Sequence, residues 1–268
     1  MPVERYQLDD FLSPPHPVRV LRQSLRSAHV HWHDFYELVY VLDGRARHVV
    51  NGVEHSLAPG DAFLMTPADF HEITASGSLE CYNVLIDPSL LSGELGEVLA
   101  WAGEPTAWIV PGFSEGEADF RRLWSESEAN RPGASRLMLA LLVCIVVGLA
   151  RRVGEGQGVR PRPSTDPGMR RAILFVDHNF REPITLADVA RQAHLSPNYV
   201  SERFHEITGQ SFQSYVQQRR LRFAHSLLRA TDLGVSEVCR AAGFNSLSHF
   251  GRAYRRRYGC PPSAHKGS

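Results

Sequence analysis

His31, His33, Glu37 and His71 are the residues of this 268-residue chain whose types and spacing suit chemistry. His-x-His on a strand turns both imidazoles to one face, because successive side chains alternate across a sheet. Glu37 lies four residues beyond His33, and His71 closes the segment Pro67-Ala-Asp-Phe-His. Three imidazoles and a carboxylate form a donor set for Zn²⁺, Fe²⁺, Mn²⁺ or Ni²⁺. His48 and His55 read as ordinary strand residues.

The elements that must position these groups are strands. Residues 29–87 alternate apolar and polar through Glu37 to Leu42, Arg45 to Val50, Val53 to Leu57, Asp61 to Thr66 and Cys81 to Ile86, with turns at Asp43-Gly44, Asn51-Gly52 and Pro59-Gly60. Short antiparallel strands at that spacing predict a small sandwich or barrel. From Leu90 to Val153 the period becomes helical, with Phe120, Leu123 and Trp124 on one face. The apolar run Leu137 to Ala150, fourteen residues between Arg136 and Arg151, reads as too short to span a bilayer. It is expected to bury against the β-domain or to pair with its twin in a dimer. Arg151 to Gly168, rich in Gly and Pro, reads as a linker.

Charge divides the chain at that linker. From Gly168 onward fifteen Arg plus Lys face seven Asp plus Glu, a net +8, against −8 for residues 1–167. A basic module joined to an acidic one suits nucleic-acid binding by the second half alone. At 43% hydrophobic and 22% charged the composition is that of a globular protein. Cys81, Cys144, Cys239 and Cys260 show no metal-type spacing and read as reduced core residues. With no apparent signal peptide, the expected place is the cytoplasm, away from membranes.

The basic half carries one pattern twice. Leu186, Val189, Ala190, His194, Leu195 and Ser196 recur 49 positions later as Val235, Val238, Cys239, Gly243, Phe244 and Asn245; Val200, Phe204 and Gly209 recur 50 later as Phe250, Tyr254 and Gly259. Each copy has two short helices around a turn, the helix-turn-helix pattern. Ser211 to Ala230 lacks Gly and Pro, and as a helix would be roughly 30 Å long. Successive major grooves on one face of DNA lie about 34 Å apart, so one chain can address two. An all-helical domain with no DNA role is the alternative. Val200 and Phe204 facing inward leave Asn198, Ser201, Glu202 and Arg203 outward in the first copy. In the second, Ser248, His249 and Arg252 project, with Arg252 the candidate for a guanine contact and Arg255 and Arg256 for phosphates.

Residues 168–266, including LADVARQAHLSPNYVSERF and VSEVCRAAGFNSLSHFGRAYRRRYGCPPSAHK, resemble the AraC family of bacterial transcription activators. Tyr254 where Phe is usual, and His265-Lys266 where an aromatic followed by Arg is common, depart from it. His-x-His, Glu37 and Gly44 also resemble the cupin pattern, though Asp69 replaces its usual Gly, one extra residue precedes Pro67, and the later Asn is missing. HWHDFYELVYVLDGRARHVVNG with CYNVLI is similar to the sensor domains of sugar-responsive AraC regulators, the rhamnose activators in particular.

The resemblance implies a two-domain α+β chain: a cupin-like β-barrel effector domain (1–90), a helical packing or dimerisation segment (91–153), a linker (154–167) and an all-α domain with two helix-turn-helix units joined by a long helix (168–268). It implies a homodimeric regulator, usually an activator, that meets promoter DNA, RNA polymerase and a sugar-like effector. Effector contacts would come from His31, His33, Glu37 and His71, with Trp32, Tyr36, Arg45 and Tyr82 beside them. Direct effector contact, a divalent metal on the same His and Glu residues, and structural polar residues at a barrel mouth all stay open. A cupin enzyme of dioxygenase or isomerase type, a metal sensor, and a DNA-binding protein that ignores ligands are the alternatives; the attached DNA module argues against an enzyme.

Overall fold

The computed structural model describes residues 4–11, 17–92, 94–101, 107–129, 131–157 and 166–266. Contacts divide the chain into two compact units, one built from residues 5–50 and 54–165, the other chiefly from Asp166–Ser268.

The first unit opens with β1 (Glu4–Tyr6) and the short α1 (Leu8–Phe11), followed by β2 (Val18–His33), β3 (Tyr36–Asp43), β4 (Ala46–Val50), β5 (Val53–Leu57), β6 (Ala62–Met65), β7 (His71–Ile86), α2 (Glu94–Trp101), β8 (Trp108–Val110), α3 (Glu117–Ala129) and α4 (Ala134–Gln157). The strands join in the order β1-β2-β7-β3-β6-β8, with β4 pairing both β5 and β7. Sixteen-residue β7 organises the sheet. Antiparallel β2 follows it from Ile86 to His71, β4 takes its first part (Val50↔His71 to Ala46↔Ala75), and β3 its last (Asp43↔Glu80 to Tyr36↔Ile86). Register shifts in β2 between Leu25 and Ser27 and between Ala28 and His31 add the local twist that a bulge brings. Asn51 and Gly52, at φ 51° and 85°, make the two-residue turn that matches strand twist.

Alternation gives the sheet two cores. Val39, Val41, Phe63, Met65, Ile73, Leu79 and Cys81 fill one face. Leu38, Tyr40, Leu64 and Val84 line the other, packed by Phe120 and Leu123 of α3 and by Leu142, Val146 and Leu149 of α4. Each such buried aliphatic contributes about 1.5–3 kcal/mol, so the helices form a wall of the β-domain rather than a separate segment.

Three expectations change. β2 begins at Val18, well before the alternation that the sequence displays; its residues are mostly half-buried or polar and its bulges break the period. The fourteen-residue apolar run is the middle of a 24-residue helix. Its stretch Ala134–Gly154, at mean hydropathy 2.1, is long and apolar enough to cross a membrane, so shortness does not argue against a span. What places it is the core that its inner face shares with the sheet. Finally, α4 reaches Gln157 and Asp166 already caps the next helix, which shortens the expected linker at both ends; residues 158–165 lie outside the described residues.

The second unit comprises α5 (Pro167–Asn179), α6 (Leu186–Ala193), α7 (Pro197–Thr208), α8 (Phe212–Ala230), α9 (Val235–Ala241), α10 (Leu247–Tyr258) and a 3₁₀ turn at Pro262–His265. Its helix starts are written in the sequence. Thr185 and Asp188 form a reciprocal capping box, and Ser196, Ser211 and Ser246 each accept a backbone N–H from three residues on. Val189, Val200 and Phe204 of the first copy are buried, as are their counterparts Val238, Phe250 and Tyr254. The connecting α8 has 19 residues, roughly 28 Å of helix.

Candidate sensor site and DNA-binding surface

His31 at the end of β2 pairs in register with His71 at the start of β7, and their rings lie 4.2 Å apart. Glu37 on β3 comes within 3.2 Å of His71 Nε2 and 3.6 Å of His33 Nε2 through Oε2. All four side chains are buried. The donor atoms of His31, Glu37 and His71 lie within 4.8 Å of one another; His33 stands outside that group.

Orientation is fixed from behind. His31 Nδ1 is 2.7 Å from the His29 carbonyl and His33 Nδ1 2.6 Å from that of Phe35. A carbonyl only accepts, so in both rings Nδ1–H donates and Nε2 is left to face the cluster. His71 Nδ1 shares a 3.0 Å hydrogen bond with His48 Nε2, and Asn83 Nδ2 donates to Glu37 Oε1 at 2.6 Å. Burial, joined by the neighbouring His71, pushes His31 down to about 3 and holds His48 well below the usual imidazole range. For Glu37 burial pushes upward, but the imidazoles of His33 and His71 outweigh it and hold the carboxyl well below its ordinary value. The site therefore presents a carboxylate, with His31 and His48 uncharged at neutral pH.

Among the expected neighbours, Tyr36 and Tyr82 do not join the cluster. They sit beside Glu37 and Asn83 in sequence, so alternation turns them to the opposite face, where they enter the core shared with the helices; Tyr82 lies 6.0 Å from Trp124. Arg45 is exposed between β3 and β4, and Trp32 is buried. Missed from the sequence were His48, Asn83 and Tyr6, whose ring lies 4.6 Å from that of His31. His48 and His71 are diagonal neighbours across β4 and β7, as are Glu37 and Asn83 across β3 and β7; the strand register reveals these pairs and the linear sequence does not. Asp69 holds its turn by accepting from Thr66 N at 2.9 Å and Thr66 Oγ1 at 2.7 Å, so His71 reaches the site despite the missing glycine.

In the second unit Asn198, Ser201 and Glu202 are exposed on α7, and Ser248, His249, Arg252, Arg255 and Arg256 on α10. Arg203 is half-buried and paired with Glu206. Tyr199 donates to Asp166 Oδ2 at 2.9 Å, tying α7 to the cap of α5. The bundle is fixed from within. Asp177 accepts from Arg219 Nε at 2.6 Å and from Tyr215 Oη at 3.0 Å, while Arg220 donates to the Phe180 and Glu182 carbonyls.

Two family models match in chain order: an AraC-like ligand binding domain over residues 18–143 and a helix-turn-helix domain over residues 189–267. The chain belongs to the AraC family. The HTH-type transcriptional activator RhaR of Escherichia coli (strain K12) is 27% identical over 241 residues, 87% of this chain and 85% of that protein. RhaR of Salmonella schwarzengrund (strain CVM19633) is 25% identical over 240 residues, with the same coverage. Among solved structures, ToxT from Vibrio cholerae O395 is 13% identical, with a TM-score of 0.41 over 93% of this chain and 96% of that one. As a member of this family the chain is a DNA-binding transcription regulator.

Proposed function

We propose that this AraC-family protein is a cytoplasmic, homodimeric transcription activator controlled by a small polar effector, of sugar type, bound at the His31–Glu37–His71 cluster. The observation that carries the reading is the buried carboxylate with its surrounding imidazoles, set against a core face otherwise lined by apolar side chains. Buried polar groups without full pairing are costly, and a polyhydroxylated ligand supplies their partners. Relatives named as HTH-type transcriptional activators favour activation, and the sequence resemblance to sugar-responsive regulators favours a sugar. Effector binding would favour the DNA-competent state by its differential affinity, and the activated dimer would engage RNA polymerase.

The test is a thermal-shift screen against sugars, sugar acids and polyols. A ligand at a hundred times its Kd adds about 2.7 kcal/mol of stability, and Glu37→Gln should abolish the shift while promoter binding without effector persists. If every compound leaves both melting and promoter affinity unchanged, the protein is not a metabolite sensor of this class.

DNA recognition is assigned to α7 and α10. Asn198, Ser201, Glu202, Ser248, His249 and Arg252 face base edges; Arg255, Arg256 and the partly engaged Arg203 meet phosphates. Arg252→Ala should cost about 1–3 kcal/mol at one base position, read by binding to single-base promoter variants. Arg256→Ala should weaken all sequences alike and lower the salt dependence. Identical effects from the two changes would refute the division of roles.

The dimer is assigned to the outer face of α4. Leu139 and Cys144 are exposed and Val143 and Val147 half-exposed, with no charged residue between Arg136 and Arg151. In a two-fold pairing centred on that face Cys144 meets its own copy. Mild oxidation should therefore give a disulfide-linked dimer that Cys144→Ser abolishes; a monomer by light scattering at micromolar concentration would remove this interface.

A further inference from the structure

We propose that His31, Glu37 and His71 hold a divalent transition-metal ion in the sensor domain, that His48 and Asn83 position those groups, and that the effector is read through this ion. The inference rests on the cluster being the sensor site.

The donor atoms already converge. Glu37 Oε2 and His71 Nε2 are 3.2 Å apart, a separation that two ligands of one ion adopt when each lies about 2.1 Å from it. Each of the three side chains is also held by its other polar atom. His31 Nδ1 donates to the His29 carbonyl, His71 Nδ1 shares its hydrogen with His48, and Asn83 occupies Glu37 Oε1. Outer partners of this kind fix ring orientation in metal sites. What remains is one donor atom per residue, the three within 4.8 Å of one another, and two of these, Glu37 Oε2 and His71 Nε2, are buried without an aligned hydrogen-bond partner. The ion-pair neighbours of Glu37 are imidazoles, His33 and His71. The charge that completes this arrangement is a cation.

Two imidazole nitrogens and a carboxylate oxygen suit Zn²⁺ or Fe²⁺ and leave coordination positions open. Bound there, such an ion supplies Lewis acidity toward a hydroxyl or carboxylate oxygen. His33, outside the converging group, then serves as a hydrogen-bonding side chain at the edge of the site, which distinguishes this arrangement from one that uses both residues of the His-x-His pair.

The full-length protein, stripped with EDTA and dialysed, is titrated with Zn²⁺ or Co²⁺, read by elemental analysis and by the visible absorption of Co²⁺. One ion per chain is expected, with Co²⁺ displaced by Zn²⁺. Glu37→Gln and His71→Ala should each lose stoichiometric metal. His48→Gln should weaken affinity by about 10- to 100-fold, and His33→Ala should retain it within a few-fold, each with an unchanged circular dichroism spectrum. Should His71→Ala fail to fold, Glu37→Gln and His48→Gln decide. Substoichiometric metal on folded wild type, or stoichiometric metal that survives Glu37→Gln, overturns the site; loss with His33→Ala as severe as with Glu37→Gln overturns the ligand set. A metabolite that raises the melting temperature equally with and without EDTA overturns effector reading through the ion but leaves the effector reading itself standing. Stoichiometric metal with no metabolite response does the reverse.

Discussion

Gly243→Ala should strongly destabilise the DNA-binding unit while leaving the sensor unit unaffected. Gly243 closes the turn between α9 and α10 at φ +79°, and a Cβ there would lie 2.2 Å from the Arg181 carbonyl oxygen and 2.7 Å from the Arg181 Cα. These are backbone atoms of the segment following α5, so no rotamer change relieves the clash. Left-handed strain on a non-glycine residue costs roughly 1–2 kcal/mol, and forcing a methyl into packed backbone typically adds 1–3. A loss of about 2–5 kcal/mol is expected, a large fraction of the roughly 5–15 kcal/mol of a domain of ordinary stability, and promoter binding should weaken with it. The other repeat supplies the control. Its equivalent residue, His194, has φ +56° and is exposed. The turn conformation is thus common to both copies, and the close backbone approach accounts for glycine in the second. His194→Gly should be neutral or stabilising by up to about 1 kcal/mol. Urea unfolding of the two variants checks this; a Gly243→Ala protein within 1 kcal/mol of wild type would show that the Arg181 segment yields.

The repeat was legible because helix caps and apolar spacing are local properties. Ser196, Ser211 and Ser246 each cap a helix through the backbone N–H three residues on, and the paired core residues are buried in both copies. The sensor site was half legible. The donor atoms of His31, Glu37 and His71 converge while His33 stands outside that group, and the supports arrive from strands distant in sequence: His48 lies 23 residues from His71, and Asn83 lies 46 from Glu37. Only a strand register makes them neighbours. Tyr36 and Tyr82 show the reverse case. Tyr36 was already excluded by its parity relative to Glu37, whereas Tyr82 is excluded by its parity relative to Asn83, which only the strand register reveals; aromatic character drew attention to the wrong face. The length of β2 was hidden for a physical reason as well, since bulges reset the two-residue period on which strand reading depends.

Asp177→Ala should be nearly as damaging as the glycine change, through electrostatics rather than sterics. Asp177 is fully buried, and the partner Arg219 side chain is only 11% exposed. Removing the carboxylate leaves a guanidinium and the Tyr215 hydroxyl facing an apolar interior, and breaking such a pair costs about 3–5 kcal/mol. Because Asp177 lies on α5 and Tyr215 and Arg219 on α8, the loss loosens the attachment of α5 to the helix that connects the two helix-turn-helix units. Promoter binding should therefore weaken beyond what the unfolded fraction accounts for. Pairing the change with Arg219→Met removes the stranded charge, so the double variant Asp177→Ala/Arg219→Met should be more stable than Asp177→Ala alone by about 2 kcal/mol. A double variant whose loss equals the sum of the single losses would mean that the two groups do not act as a pair, and that the junction of α5 with α8 is held by apolar packing such as the edge-on contact of Phe180, at the end of α5, with Phe223 at 5.8 Å.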